Sequence, residues 1–408
     1  MTNLLAMPKN PNLKFTMQHV DYLKGISISA NAPGTLLQDF NTLLNFIGSA
    51  GTEVSINTHF IPMKSLLAIN QRMSRPIQPK TARPTQKTFP HINGLYLLLR
   101  ASGLGLIQTD KKKVSLVLDS TLLSQWQQLN DVEKYFALFQ AWAKRNNDEI
   151  VYERSHLDAS CFEECYYFLE NGIRESIFAK NVDSLRYRLG LHRLALLEFF
   201  GLVNVELNTL DEKNHWPIAC VQPTKFGQAL VSCIANIDDF NYHSDQQISS
   251  WIEVLRNYFP AWQNELLPEQ TTAENKIVTF KVILEQSYRR IAVSSELNLD
   301  QLADHILSVF SFDHDHLYEF KYKNRYGITQ RIAHPYLQDH DGETTDESTV
   351  SELPLQVGAL IIFHFDFGDD WMFNILVEGV EDKLSSQANF KLLEKVGKVP
   401  KQYIYDDL

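Results

Sequence analysis

Between residues 358 and 378 the chain reads GALIIFHFDFGDDWMFNILVE. Two strongly apolar stretches flank an aspartate-rich break at Gly368, which reads as strand, tight turn, strand. The residues before it fit the same kind of fold. Lys276 to Leu284 (KIVTFKVIL) alternates apolar and polar residues as a half-buried strand does, and Tyr288 to Val293 reads as a second strand. Leu299, Leu302, Ile306, Val309 and Phe310 fall on one helical face, with Asn298 or Asp300 near the helix start, and His316 to Phe320 alternates again. Strand, strand, helix and then strands is the order of a ubiquitin-like α/β roll. The expected class is therefore α+β, with this roll as a domain over 274–408.

Three marks in this region occur in a fixed order. A strand carries Arg289, Arg290 and Ile291. A helix then runs into Phe312 and Asp313, followed by His316, Leu317 and Phe320. Last come Phe365, Asp366, Phe367, Gly368, Asp369, Asp370 and Trp371, followed by a strand reaching Glu378. In these marks the domain resembles the plasmid pRiA-four-b ORF-three-like family, although Phe312 stands where that family usually has tryptophan. The resemblance implies an association with plasmids and insertion elements, and one subgroup of the family carries a resolvase-like label. The residues give that label no chemistry. A recombinase needs a nucleophile surrounded by arginines that neutralise phosphate, and the only close arginine pairs are Arg186 with Arg188 and Arg289 with Arg290.

The first two thirds of the chain contain a weaker pattern that occurs twice. An apolar helix around Leu95 to Leu99 ends at Gly103. It is followed by a strand at Leu106 and Ile107, a turn over 109–113, a strand through Val114, Leu116 and Leu118, and a helix from Ser120 with Trp126 and Leu129 on one face. A second apolar helix over 189–200 ends at Gly201. Strands over 202–207 and 216–221 follow, and then a helix opened by Pro223 and Thr224. LLRASGLGLIQ and LLEFFGLVNVE align without gaps, so the pattern reads as an internal repeat. Both units look like winged-helix modules, one expected over 1–150 and the other over 151–270. The segment 75–90, with four prolines, reads as a polar, basic connector. A helix carrying Trp251, Ile252, Val254, Leu255, Tyr258 and Phe259 closes this half.

Charge divides these regions. Sixteen basic against nine acidic residues give residues 1–150 a net +7. Residues 151–270 carry −8 and residues 271–408 carry −10, within a chain total of −11. Any nucleic-acid contact is therefore expected in the first region, through Arg72, Arg75, Lys80, Arg83, Lys87, Lys111, Lys112 and Lys113. Such binding would be weak and salt-dependent; the alternative is a solvated turn and linker. The four cysteines (Cys161, Cys165, Cys220 and Cys233) are too few for a disulfide framework, and they read as reduced thiols rather than a zinc site. No apolar run is long enough to span a membrane and the N-terminus has no signal-peptide pattern, so no membrane contact and a cytoplasmic location are expected.

The chain has no phosphate-binding glycine loop, no Gly-x-Ser-x-Gly elbow and no HExxH motif. The densest polar cluster comprises His316, His364, Asp366, Asp369 and Asp370, beside Trp371. It reads either as a divalent-metal or acid–base site, or as a tight turn in which Gly368 takes a positive φ and Asp369 bonds backbone amides, with Trp371 packed below it. The expected function is a non-enzymatic binding or adaptor protein of mobile-element type, without cofactor. It would bind an unidentified protein through His316, Asp366, Asp369 and Trp371, and possible DNA contacts would lie in the N-terminal half. The alternative is a metal-dependent hydrolase or nuclease built on the same Asp/His cluster.

Overall fold

Helices that are apolar on every side must be covered on every side, and this requirement shapes the first two thirds of the chain. The computed structural model describes residues 15–110, 113–153, 177–178, 189–208, 211–235, 252–267, 275–337, 342–384 and 387–403. The chain forms two compact units, Met1–Pro268 and Glu269–Leu408, within an α+β class.

In the first unit, α1 (Met17–Gly25), α2 (Leu36–Ile47), β1 (Thr52–Glu53) and α3 (Met63–Asn70) precede the first helix–hairpin stretch. That stretch is α4 (Pro90–Ala101), β2 (Gly105–Asp110), β3 (Lys113–Leu118) and α5 (Ser120–Gln128), followed by α6 (Asp131–Arg145). After β4 (Ile177–Phe178), the second stretch is α7 (Leu191–Phe199), β5 (Val203–Leu207), β6 (Ile218–Pro223) and α8 (Lys225–Ala235). Each hairpin sits in a three-stranded antiparallel sheet, ordered β1-β3-β2 and β4-β6-β5, with its second strand central.

The two stretches, expected as separate units over 1–150 and 151–270, fall together in the compact unit Met1–Pro268. All twelve residues of α4 are buried. A methyl group on Gly94 of α4 would lie 2.8 Å from the His192 carbonyl of α7, so the two helices meet backbone to backbone. α6 closes the same core. Tyr135 donates to the Phe200 carbonyl at 2.8 Å, Trp142 stacks on Phe200, and Phe136 stacks on Trp262 from beyond α8.

The 75–90 segment is an ordered part of this unit and not a free connector. Asn70 holds both the N–H and the carbonyl of Ile77 at 2.9 Å. Buried Gln86 accepts from Ile61 N–H and donates to Asn93. Cys220 and Cys233 are free and buried, and burial pushes the Cys233 thiol up to about 12. Cys161, Cys165, Arg186, Arg188 and Trp251 lie outside the described residues. Among the described residues no helix is long and apolar enough to cross a membrane.

The second unit is a seven-stranded sheet of β7 (Lys276–Leu284), β8 (Ser287–Ser294), β9 (Tyr318–Lys323), β10 (Thr329–Ala333), β11 (Leu360–Phe365), β12 (Trp371–Asp382) and β13 (Phe390–Val396). Its order is β10-β9-β11-β12-β7-β8-β13, with every neighbouring pair antiparallel. The element order is the one expected of a ubiquitin-like roll; the sheet that these elements build is antiparallel throughout.

α9 (Leu299–Phe310) covers one face of the sheet. It is opened by Asn298, whose side chain accepts from Gln301 N–H while Gln301 bonds back to Asn298 N–H. Val278, Phe280, Ile291, Leu302, Ile306, Phe310, Phe363 and Phe373 form one continuous core between helix and sheet. A core of this extent is enough for independent folding. A fragment spanning 269–408 is expected to give a dispersed amide spectrum and a cooperative melt, and a collapsed spectrum would show that the core needs the first unit.

Candidate functional site

The turn between β11 and β12 is built by Asp366. Its backbone is left-handed (φ 55°), a conformation that aspartate tolerates because its short side chain bonds locally. One carboxylate oxygen accepts from Gly368 N–H at 3.0 Å and Asp369 N–H at 3.3 Å, and the Asp366 carbonyl accepts from Asp370 N–H at 2.7 Å. Asp370 is also left-handed, at φ 57°.

The sequence had pointed to a positive φ at Gly368, with Asp369 holding the amides. The positive angles fall instead on Asp366 and Asp370, and it is Asp366 that holds the amides. A methyl group at Gly368 would meet only the Asp366 carboxylate, at 3.2 Å, so this glycine is not essential to the turn. Replacing Asp366 by Ala should cost about 1–3 kcal/mol, from the lost side-chain bonds and the left-handed strain. Asp366→Asn keeps the acceptor and the tolerance for that backbone, and should stay within about 0.5 kcal/mol. Chemical denaturation of the two variants checks the contrast.

His316 lies beside this turn, with Nε2 3.4 Å from Asp366 Oδ2 and 3.7 Å from Asp315. Tyr403 reaches over the same point and donates to Asp315 at 2.9 Å. Burial, reinforced by the Asp315 carboxylate, pushes the Tyr403 phenol up to about 12. Trp371 packs edge-on against Phe312 at 5.0 Å. Asp369 is exposed, and its carboxylate makes no hydrogen bond or ion pair among the described residues. The structure thus joins His316 to Asp366 and leaves Asp369 apart. Among the described residues no three His, Cys, Asp or Glu side chains are placed to hold a metal ion.

His364 belongs to a different network. It sits 3.3 Å from Glu319 and 2.8 Å from Asp370. Glu319 is almost fully buried and also pairs with Lys321 and Arg331. Burial works to raise its pKa, but the bonds from Lys321 and Arg331 outweigh this and hold the carboxyl below its ordinary range.

The arginine mark has a structural role. Arg289 is buried. It donates to the Val309 carbonyl in the last turn of α9 and to the Val396 carbonyl at the end of β13, so it ties a helix terminus to an edge strand. Arg290 bonds Glu378 through two nitrogens, at 2.5 and 3.1 Å, and also pairs with Glu394. The first and last of the three sequence marks are therefore joined by an ion pair that spans β7.

Several of the nucleic-acid candidates are engaged by neighbouring groups. Arg75 pairs with Glu198. Lys87 bonds the Tyr152 carbonyl at 2.7 Å and Glu153 at 3.1 Å. Lys113 is exposed, 3.9 Å from Glu53. Arg72, Lys80 and Arg83 lie in loops, where Lys80 N–H donates to His215 at 2.8 Å. Lys111 and Lys112 lie outside the described residues. α4 is buried along its whole length and α7 along most of it, so neither helix preceding a hairpin has a face free to enter a DNA groove.

Sequence reasoning missed a second polar site in the first unit. A cavity of about 140 Å³ lies between the 31–35 loop, Ser74–Arg75, the start of α4 and the end of α7. His91 and Glu198 meet there at 3.0 Å, although 107 residues separate them in sequence.

The second unit is an antiparallel α+β module whose most prominent polar turn is held by its own aspartate. Residues 276–402 match the family model described as plasmid pRiA4b ORF-3-like protein, so this unit is similar to that family. A crystal structure of a protein of unknown function from Methanosarcina mazei Go1 is similar at 21% identity, over 30% of this chain and 70% of that one, with a TM-score of 0.27. No curated protein matches the chain.

Proposed function

We propose that the chain is a cytoplasmic, non-enzymatic binding protein of mobile-element type. In this reading it is an adaptor whose second unit contacts a protein partner around His316, Asp369 and Trp371. The observation that carries this reading is the use of Asp366. Its Oδ1 accepts from two turn amides, which accounts for the centre of the densest Asp/His cluster without catalysis. The rim of that cluster is acidic and accessible, through Asp313, Asp315 and Asp369, with Phe367 40% exposed beside it. This favours a partner with a basic surface. The description of the matching family supports the mobile-element setting.

DNA contact is the second arm of the proposal, as is the likeness of the hairpins to wings. With α4 and α7 buried, such contact would go through the β2–β3 turn at Lys113 and would read phosphates rather than bases.

The test is affinity capture from the host lysate with the full-length protein and with a double charge reversal, Asp315→Lys and Asp369→Lys. The expected result is a captured protein that the reversal loses while the melting temperature holds. A divalent-metal-dependent hydrolase or nuclease activity that disappears in Asp366→Asn would overturn the non-enzymatic reading. Duplex shifts absent at low salt, or unaffected by Lys113→Glu, would remove the DNA arm.

A further inference from the structure

One face of the antiparallel sheet in the second unit is packed against α9. Were the opposite face left to water, its strands would alternate apolar and polar residues. β11 and β12, in the middle of the sheet, break that rule. Phe363, Phe365, Phe373 and Ile375 point into the core, yet the residues alternating with them, Leu360, Ile362, Met372 and Leu376, are also apolar and face the other way. Leu360 is 50% and Met372 37% exposed. Leu360 pairs with Leu376, and Ile362 and Ile283 flank Asn374, so the apolar stripe crosses β11, β12 and β7.

Cations border the stripe on both sides. Lys321 of β9 lies opposite Ile362, with Arg331 of β10 beyond it. Lys281 of β7 lies opposite Leu376, with Arg290 of β8 beyond it. With Lys323 and Lys391, the strands of this face carry six cations against four carboxylates, Glu319, Glu378, Glu381 and Glu394. That is a balance of +2, where residues 271–408 together carry −10. Glu319 is already shared by Lys321 and Arg331. Lys281 Nζ sits over the Tyr288 ring at 4.2 Å and is in no ion pair among the described residues.

The β9 and β7 rows stand three strand spacings apart, about 14 Å. An α-helix with its side chains is about 10–12 Å across and fits between them. Its apolar side would cover Leu360, Ile362, Met372 and Leu376, and carboxylates on its two flanks would reach the cations of β9 and β7. An added strand has no place here, because β11 and β12 are paired on both edges.

We propose that the face of the sheet opposite α9 docks an amphipathic helix of a partner protein, one whose apolar stripe is flanked on both sides by carboxylates. This surface goes beyond the acidic turn, which calls for a partner of the opposite charge.

The test titrates the full-length protein, at constant ionic strength, with a labelled peptide of about 18 residues, five helical turns, whose leucine stripe is flanked by glutamates. Binding is read by fluorescence anisotropy and by the methyl shifts of Ile362 and Met372. One control peptide replaces every glutamate by lysine, and a second shuffles the same residues. The expected result is saturable binding of the glutamate peptide, at least tenfold tighter than either control. It should be at least tenfold weaker in the double variant Leu360→Glu with Met372→Glu, whose melting temperature should hold because both side chains are exposed. Lys281→Glu leaves the stripe intact and should also weaken binding, so the test stands even where the double variant does not fold. A control peptide bound as tightly, no saturable binding, or binding unchanged in these variants would each overturn the proposal. So would self-association that the double variant abolishes, or a short oligothymidylate bound more tightly than the glutamate peptide.

Discussion

Replacing Asp148 by Ala should destabilise the first unit by about 3–5 kcal/mol, the cost of removing one member of a buried ion pair and leaving the Arg193 charge behind. Asp148 lies in a one-turn 3₁₀ helix after α6 and is 7% exposed. It faces His192 at 3.3 Å and pairs with Arg193, both 5% exposed and both at the start of α7. Without the carboxylate, the Arg193 guanidinium would be left in a nearly dry site with the Asp148 counter-charge gone. Asp148→Asn should cost less, because the amide oxygen still accepts.

The pH dependence has a definite sign. Burial pushes the Asp148 carboxyl up, but the His192 hydrogen bond and the Arg193 charge outweigh burial, and its folded pKa lies below the ordinary value. Its contribution is therefore fully present above the unfolded carboxylate pKa, and is lost as pH falls through the folded one. Urea melts of the first-unit transition, taken from neutral pH down to about pH 3, should show an acid-sensitive component in the parent that the Ala variant lacks.

How much of this was legible in the sequence depends on the range of the interaction. Local patterns were readable. The alternation of KIVTFKVIL, the helix over 299–310 and the glycine stops at Gly103 and Gly201, with φ of 79° and 69°, all follow from nearest-neighbour geometry. β10 and β13 were not readable. They are the edge strands of the sheet, and TQRIA and FKLLEKV carry charged residues that solvated edges use to avoid further pairing. The proline-rich 75–90 segment looked like a linker because its order comes from Asn70 and Gln86 bonding backbone groups, which leaves no apolar period.

That both helix–hairpin stretches fall in one compact unit was not legible for a related reason. α4 and α7 are each buried along most of their length because each covers the other, and a single sequence does not say which helix covers which. At the candidate sites, residue types were visible and their pairings were not. Arg290 and Glu378 stood out separately, but their bond requires the order β8-β7-β12. His91 and Glu198 gave no signal because their meeting is purely tertiary.

Gly227→Val should leave the first unit unable to fold stably, an effect exceeding the roughly 1–3 kcal/mol of ordinary overpacking. Gly227 lies in the first turn of α8. A Cβ built on it would stand 2.1 Å from the Leu202 carbonyl oxygen, 2.9 Å from its carbonyl carbon and 3.0 Å from its Cα. All three atoms are backbone, so no side-chain rotation relieves the overlap. The joint around it is also fixed: Thr224 Oγ1 accepts from Gly227 N–H at 2.9 Å and donates to the Gly201 carbonyl at 2.6 Å, while Thr224 N–H donates to the Leu202 carbonyl at 2.9 Å. Moving α8 away to admit the side chain would break these bonds and expose Phe226, Leu230 and Cys233, all buried on the same helix. Gly227→Ala carries the same first overlap and should already lower the melting temperature of the first unit, with Val worse. The second unit has its own core, so its melting transition should be unchanged in both variants. Calorimetry that found Gly227→Ala melting with the parent would show that α8 can stand off from Leu202 at no cost.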